Sequence, residues 1–260
     1  MVKKIVSGGQ TGADRAALDV AINLNIPHGG WVPKGRKAEN GRVPDHYQLK
    51  EMSTVSYPVR TEANVVDSGG TLILTHGQPK GGSKLTVELA RKHRKPHLHI
   101  DLDALRGDAG LYAIVNWLAQ NRIEVLNVAG SRAGEDPEIY DAVFEVLNNA
   151  LLLLMIRRPP QSAERPRTLA EAVNRLGAGV PFKERVKIGN MAQEDLPSLY
   201  PVFMAQVRDD FGLWEDNAAL LASCRSVAAD PHLHPDQAGP LIVRELWKEL
   251  KETYRLKVVK

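Results

Sequence analysis

Three stretches of the chain combine glycine, hydroxyl and cationic side chains at the spacing of an anion-binding turn. The first is Ser7-Gly8-Gly9-Gln10-Thr11-Gly12, running into Ala13-Asp14-Arg15. Glycines without a Cβ let the backbone turn sharply and approach a ligand closely. The amides that open a helix have no intrahelical partner and lie at the positive end of its dipole, so such a turn attracts phosphate. In this turn Gly8, Gly9, Gln10 and Thr11 supply amides and a hydroxyl. The second turn joins Thr75-His76-Gly77 to Gly81-Gly82-Ser83 and Thr86, a cradle for a phosphate at the next helix start. The third is Gly130-Ser131-Arg132, a hydroxyl beside a guanidinium able to clamp an anion with two parallel bonds. The alternative for each is a plain strand-to-helix turn that needs glycine for geometry alone. Asp14 either caps its helix or holds a ligand hydroxyl, and capping is the expected role.

These turns need elements to hold them together. Residues 2–6 read as a buried strand, and 13–24 as a helix with Ala17, Leu18, Ala21, Ile22 and Leu24 on one face. A short helix is expected over 60–68, carrying Arg60, Thr61 and Asn64, and a central strand over 71–75. A helix follows to about Lys95, then a strand over 97–101, a helix over 107–121 and a strand over 123–128. Asp136 and Pro137 signal the cap and first residue of a helix ending near Ile156. Strands alternating with helices predict an α/β, Rossmann-like, doubly wound parallel sheet. The three turns fall at the carboxyl ends of strands, where such sheets bind ligands. Between them, 29–60 lacks any helical or strand period and mixes Trp31, Lys34, Arg36, Arg42 and Tyr47. A lid packing on a planar, anionic ligand is the expectation.

The 260 residues are enough for two domains. Residues 157–166, with three prolines, read as a linker between a ligand-binding domain over 1–156 and a small all-helical domain over 167–260. Thr168 and Glu171 have capping-box spacing. The first 156 residues carry 18 Lys and Arg against 17 Asp and Glu, the remainder 16 against 14. Neither half has the concentrated positive charge of a dedicated nucleic-acid binder. Cys224 stands alone, which excludes a disulfide within the chain and fits a reducing compartment. The start of the chain passes directly into a strand, without a secretory signal pattern, and the longest apolar run, 150–156, is too short to cross a bilayer. The expectation is a cytoplasmic protein.

Other chemistry has weaker support. His97, His99 and Asp101 share one face of a strand, but packed, hydrogen-bonded residues are expected there rather than a metal site. His232 and His234 lie in a turn with no third ligand, and no Gly-x-Ser-x-Gly nucleophile turn is present.

The first 156 residues resemble the molybdenum carrier family. The resemblance is carried in collinear order by 7–18, by Gly30-Trp31-Val32-Pro33-Lys34-Gly35-Arg36, and by Tyr57-Pro58-Val59-Arg60-Thr61 with Asn64. Thr75-His76-Gly77, Gly81-Gly82-Ser83 with Thr86, Lys95-Pro96, His99-Ile100-Asp101-Leu102 and Asn127-Val128-Ala129-Gly130-Ser131-Arg132 complete it. It implies a Rossmann-like fold and binding of a phosphorylated pterin, the molybdenum cofactor (molybdopterin), by the residues of these motifs. It also implies a homo-oligomer. The wider group includes the lysine-decarboxylase-like phosphoribohydrolases and the DNA-processing protein A fold. The phosphoribohydrolases carry Pro-Gly-Gly-x-Gly-Thr-x-x-Glu, whereas this chain has Lys80-Gly81-Gly82-Ser83-Lys84-Leu85-Thr86-Val87-Glu88. Glu88 would be the catalytic residue of a nucleoside 5′-monophosphate hydrolase, but the altered glycine position and spacing favour a surface glutamate. The 211–221 segment resembles a domain of unknown function. A nucleotide-binding sensor, reporting to a protein partner through the helical tail, is a third reading. The absence of an obvious acid–base pair favours binding over turnover.

Overall fold

The structure, a computed structural model, describes residues 1–104, 109–156 and 164–254. It forms two compact units, Met1–Leu151 and Leu152–Lys260.

The first unit is built on a five-stranded sheet in the order β2-β1-β9-β7-β8, where β1 is Lys4–Val6, β2 His28–Gly29, β7 Gly70–Thr75, β8 His97–Asp101 and β9 Val125–Gly130. Every pairing is parallel. All six residues of β7 are buried, the continuous apolar run expected where helices cover both faces. Helix α1 (Ala13–Asn23) links β1 to β2, and α3 (Gly81–Lys92) links β7 to β8. The chain therefore leaves β1 and β7 toward opposite edges of the sheet, and right-handed crossovers put α1 and α3 on opposite faces. This is the topological switch point of a doubly wound sheet, and β9 lies between the two strands. The predicted fold class is the observed one.

Helix α1 buries Ala13, Ala16, Ala17, Leu18, Val20 and Ala21. Ile22, expected on that face, is exposed. Helix α2 (Tyr57–Val66) starts three residues before its predicted beginning and packs Val65 against Leu89 and Ala90 of α3. Helix α4 is Ala109–Gln120, and α5 is Ile139–Ile156. The division between the two units falls within α5, ahead of the boundary expected at 156. By length and composition alone α5 could cross a bilayer. Half of it is buried, with Ile139, Val143 and Leu147 forming a four-residue stripe, which is the pattern of a core helix.

The 29–60 segment is not irregular throughout. It holds four short strands, β3 (Trp31–Val32), β4 (Lys37–Ala38), β5 (Gly41–Arg42) and β6 (Lys50–Glu51). β3 pairs with β6 in parallel, and β4 with β5 as an antiparallel hairpin tipped by Glu39 and Asn40. Two-residue strands are too short to show a period in sequence.

The second unit is helical, as expected: α6 (Leu169–Gly179), α7 (Phe182–Gly189), a 3-10 turn at Gln193–Leu199, α8 (Tyr200–Asp209), α9 (Ala218–Ala228) and α10 (Pro235–Tyr254). Thr168 caps α6 by accepting the Glu171 amide proton at 3.2 Å, as its spacing predicts. Phe203 and Phe211 fill this unit's core. Most of the expected linker, 157–163, lies outside the described residues. Arg165, at its end, pairs with Glu215 at 2.8 Å and with Asp216.

Candidate anion-binding site

The carboxyl ends of β1, β7 and β9 open on a cavity of about 390 Å³. Gln10 and Asp14 line it from the first turn, Gly81, Gly82, Ser83 and Thr86 from the start of α3, and Gly130 and Arg132 from the third. Tyr57, Pro58, Arg60 and Thr61 close it from α2, and Glu39 and Glu135 stand at its edge. All three glycine turns thus meet at the switch point. A smaller recess beneath is lined by Gly8, Asn64 and Ala129 together with Asp14, Arg60, Thr61 and Thr86.

Arg60 supplies the strongest positive charge in this space. Its guanidinium lies over the backbone of Gly8, where a Cβ would sit 1.8 Å from Nη1, so glycine is what admits it. The side chain is only 11% exposed, its Nε is buried without a hydrogen-bond partner, and its nearest carboxylate oxygen, on Asp14, is 3.7 Å away. A buried donor without an acceptor is costly in a folded protein, so the guanidinium is held here with less than its full set of partners. Asp14 does not cap α1, whose cap position is Gly12. Its carboxylate instead accepts the Gln10 amide proton at 3.1 Å. Burial lifts the Asp14 carboxyl above its ordinary value of 3.8, against the opposing pull of the Arg60 guanidinium and the Gln10 amide.

The helix starts differ in how free they are. At α1 the Thr11 amide donates to the Gln10 side chain at 3.1 Å and the Ala13 amide to the Ser131 carbonyl at 3.1 Å. These two amides are already used internally. At α3, Gly81 has φ +47°, the left-handed conformation glycine adopts without penalty, and a Cβ on Gly81 or Gly82 would meet nothing. Ser83 Oγ accepts the Lys80 amide proton at 3.0 Å and sets the entry to the helix. The open start of α3 thus faces the Arg60 side of the cavity, and an anion there meets both a helix dipole and a guanidinium.

Residues 5–151 match the model of the circularly permutated YpsA (cpYpsA) SLOG family. The chain belongs to that family. No curated protein matches it. Among solved structures it is similar to one from Syntrophus aciditrophicus SB described as "Putative molybdenum carrier protein". The two are 59% identical with a TM-score of 0.56, over 56% of this chain and 92% of that one. The family resemblance read from the glycine motifs is therefore borne out, and every residue lining the cavity lies inside the cpYpsA match.

Within this cpYpsA domain several predicted site residues do not line the main cavity. Ser7 is buried and donates to the Val128 carbonyl at 2.8 Å, and Gly9 packs under Leu49. Lys34 is exposed outside the cavity, and Asn64 bridges the backbone of Trp31 with bonds of 2.8 and 3.1 Å. Arg36 is buried and donates to the carbonyls of Val43, Pro44, Tyr47 and Leu49 at 2.9–3.2 Å. It holds the 29–60 segment in shape. Trp31 donates to Asp67, Arg42 pairs with Asp45, and Tyr47 donates to Asp19. These side chains of the expected aromatic and basic lid are thus spent on folding the segment and fixing it to its neighbours, around a small core of Val32, Val43 and Tyr47 packed with Leu18 of α1. Thr75 bonds to His99 at 2.8 Å, His76 pairs with Asp136 at 2.8 Å, and the Gly77 amide donates to Asp101 at 2.8 Å. These three brace the second turn from behind. Asp136, expected at a helix cap, serves His76 while α5 begins at Ile139. Ser131 contributes backbone bonds, and Arg15 reaches the Gly9 carbonyl and Asn40. Glu88 is exposed on α3 and absent from the cavity lining, so the surface role is the one observed. His97 bonds weakly to a backbone carbonyl at 3.3 Å, and among the described residues no group of three or more His, Cys, Asp or Glu side chains is arranged to hold a metal.

Sequence reasoning missed Glu39. Its signal is faint: Asn40-Gly41 marks a tight turn, but only the folded hairpin brings the preceding carboxylate to the cavity edge.

Proposed function

We propose that the protein binds a phosphorylated pterin, the molybdenum cofactor, in the cavity at the switch point. The single observation that carries this is that the Arg60 side chain, 11% exposed, lines the same cavity as the open start of α3 at Gly81 and Gly82. A phosphate seated on those amides gains the helix dipole and a charge-assisted bond at once. The cavity also holds carboxylates, Asp14 and Glu135, beside apolar surface from Tyr57, Pro58 and Leu85. The amino and ring N–H groups of a pterin pair with carboxylates, and its flat face packs on apolar side chains. The residues present therefore fit the group. The bound cofactor would bring its molybdenum and dithiolene chemistry, while this chain's own groups hold the phosphate and orient the ring. The relative's description as a molybdenum carrier supports the same reading. With Glu88 outside the cavity, carriage rather than glycosidic hydrolysis is the role proposed.

The test is native mass spectrometry of freshly purified protein, followed by identification of whatever denaturation releases. A pterin phosphate is the expected species. A nucleotide would replace the pterin by a base with the same phosphate seat, and a released ribose phosphate would reopen the hydrolase.

A further inference from the structure

At the edge of the cavity, one carboxylate occupies a nest of donors that a ligand anion would use. Glu39 Oε1 accepts the Thr11 hydroxyl proton and the Gly134 amide proton, the latter at 3.0 Å. Its other oxygen lies 3.8 Å from the Arg132 guanidinium, whose remaining bonds go to Glu135. The Thr11 hydroxyl itself accepts the Ala133 amide proton at 3.2 Å, which leaves its own proton free to point at the carboxylate. Two neutral donors and a guanidinium, contributed by the first and third turns, converge on one point.

The group that fills this point arrives from elsewhere in the chain, on the tip of the β4–β5 hairpin. The tip is pinned to the first turn by the Glu39 amide on the Gln10 side chain, at 2.9 Å, and by Asn40 on Arg15, at 2.8 Å. The hairpin has two residues per strand and its register bonds are few. A two-stranded ribbon this short has little stability of its own: Ala38 packs its base on Val32, Val43 and Tyr47, and the contacts of Glu39 and Asn40 hold its tip.

We infer that Thr11, Gly134 and Arg132 form a second oxyanion subsite, for a tetrahedral dianion of the phosphate or molybdate type, and that the Glu39 carboxylate is its built-in placeholder. An entering dianion takes the same donors with twice the charge, and the hairpin tip is released as it binds. This rests on the binding reading above and adds to it a second anionic group on the ligand, held by residues other than Arg60 in the same cavity, and a gate that opens to an anion.

The test titrates inorganic phosphate and, separately, molybdate into the full chain by calorimetry, with hydrogen exchange followed over residues 37–42. In the wild type, either anion should raise exchange at the hairpin tip. Glu39→Gln removes the competing charge and should tighten anion binding about tenfold, the worth of one charge-assisted bond. Thr11→Val removes a donor at constant size and should weaken binding, the opposite sign, so a folding defect shared by both variants cannot imitate the result. Glu124→Gln, at the far end of β9, makes the same change in net charge and should change neither readout. If the wild type binds the molybdenum cofactor while Glu39→Gln leaves anion affinity and hairpin exchange unaltered, the placeholder is overturned and the binding reading stands. If no variant binds phosphate, molybdate or the cofactor, both fall.

Discussion

At the scale of single residues the site depends on a pair of opposite charges that do not fully satisfy each other. Asp14 and Arg60 stand 3.7 Å apart, both largely buried, and the carboxyl titrates above its ordinary range because burial outweighs its positive neighbour. A folded-state value raised above 3.8 means that the fold favours the protonated form more than the unfolded chain does. This group's contribution to stability is full below 3.8 and is lost as pH rises through the raised value. For binding the sign is the same. Lowering the pH through that value removes a negative charge from the cavity and frees Arg60, so phosphate affinity rises. Asp14→Asn makes that change permanent. Its affinity should exceed that of the wild type at neutral pH, and its dependence on pH should be flatter, leaving only the titration of phosphate itself. Parallel pH profiles for the two proteins, measured by calorimetry, would exclude Asp14 from the anion field.

At the scale of elements, the start of α3 is left open around its glycines, while at the start of α1 the Thr11 and Ala13 amides are bonded within the protein. The difference lies in neighbours that no local pattern reveals. Gly8 and Gly81 were legible because an apolar strand, a glycine turn and a helix are contiguous in sequence. The Ser131 carbonyl takes the Ala13 amide at the first residue of α1 across more than a hundred residues of chain, and that is invisible in a window. The same reason hid Arg36 and Tyr47, whose mix of charge and aromaticity reads as ligand binding until the carbonyls and carboxylate they serve are known. Gly81→Ala tests the element directly. Its φ of +47° lies in the left-handed region, which costs a Cβ-bearing residue about 1–2 kcal/mol. With open space around it, that strain should appear as a modest loss in urea-unfolding stability together with weakened phosphate binding. The same modest loss of stability with unchanged affinity would show that the turn is structural only.

At the scale of the whole molecule, the parallel order of β2-β1-β9-β7-β8 explains why one cavity gathers all three turns. The fold was readable because buried strands and their following helices alternate with clear periods, and β7 carries the apolar run Leu72-Ile73-Leu74 at its centre. The hairpin that brings Glu39 was not, since two-residue strands carry no period and their partner is fixed only by tertiary contacts. The cpYpsA match stops at residue 151, where the first unit ends, and the helical unit has a core of its own around Phe203 and Phe211. The proposed ligand site thus lies within the first unit. The most direct measurement of that claim is the affinity of the intact chain for purified molybdenum cofactor, compared with its Arg60→Met variant. The account predicts saturable binding by the wild type and a loss of about tenfold or more on removing the guanidinium, with the fold intact by circular dichroism. Equal affinity in the two proteins, or no binding by either, would contradict it.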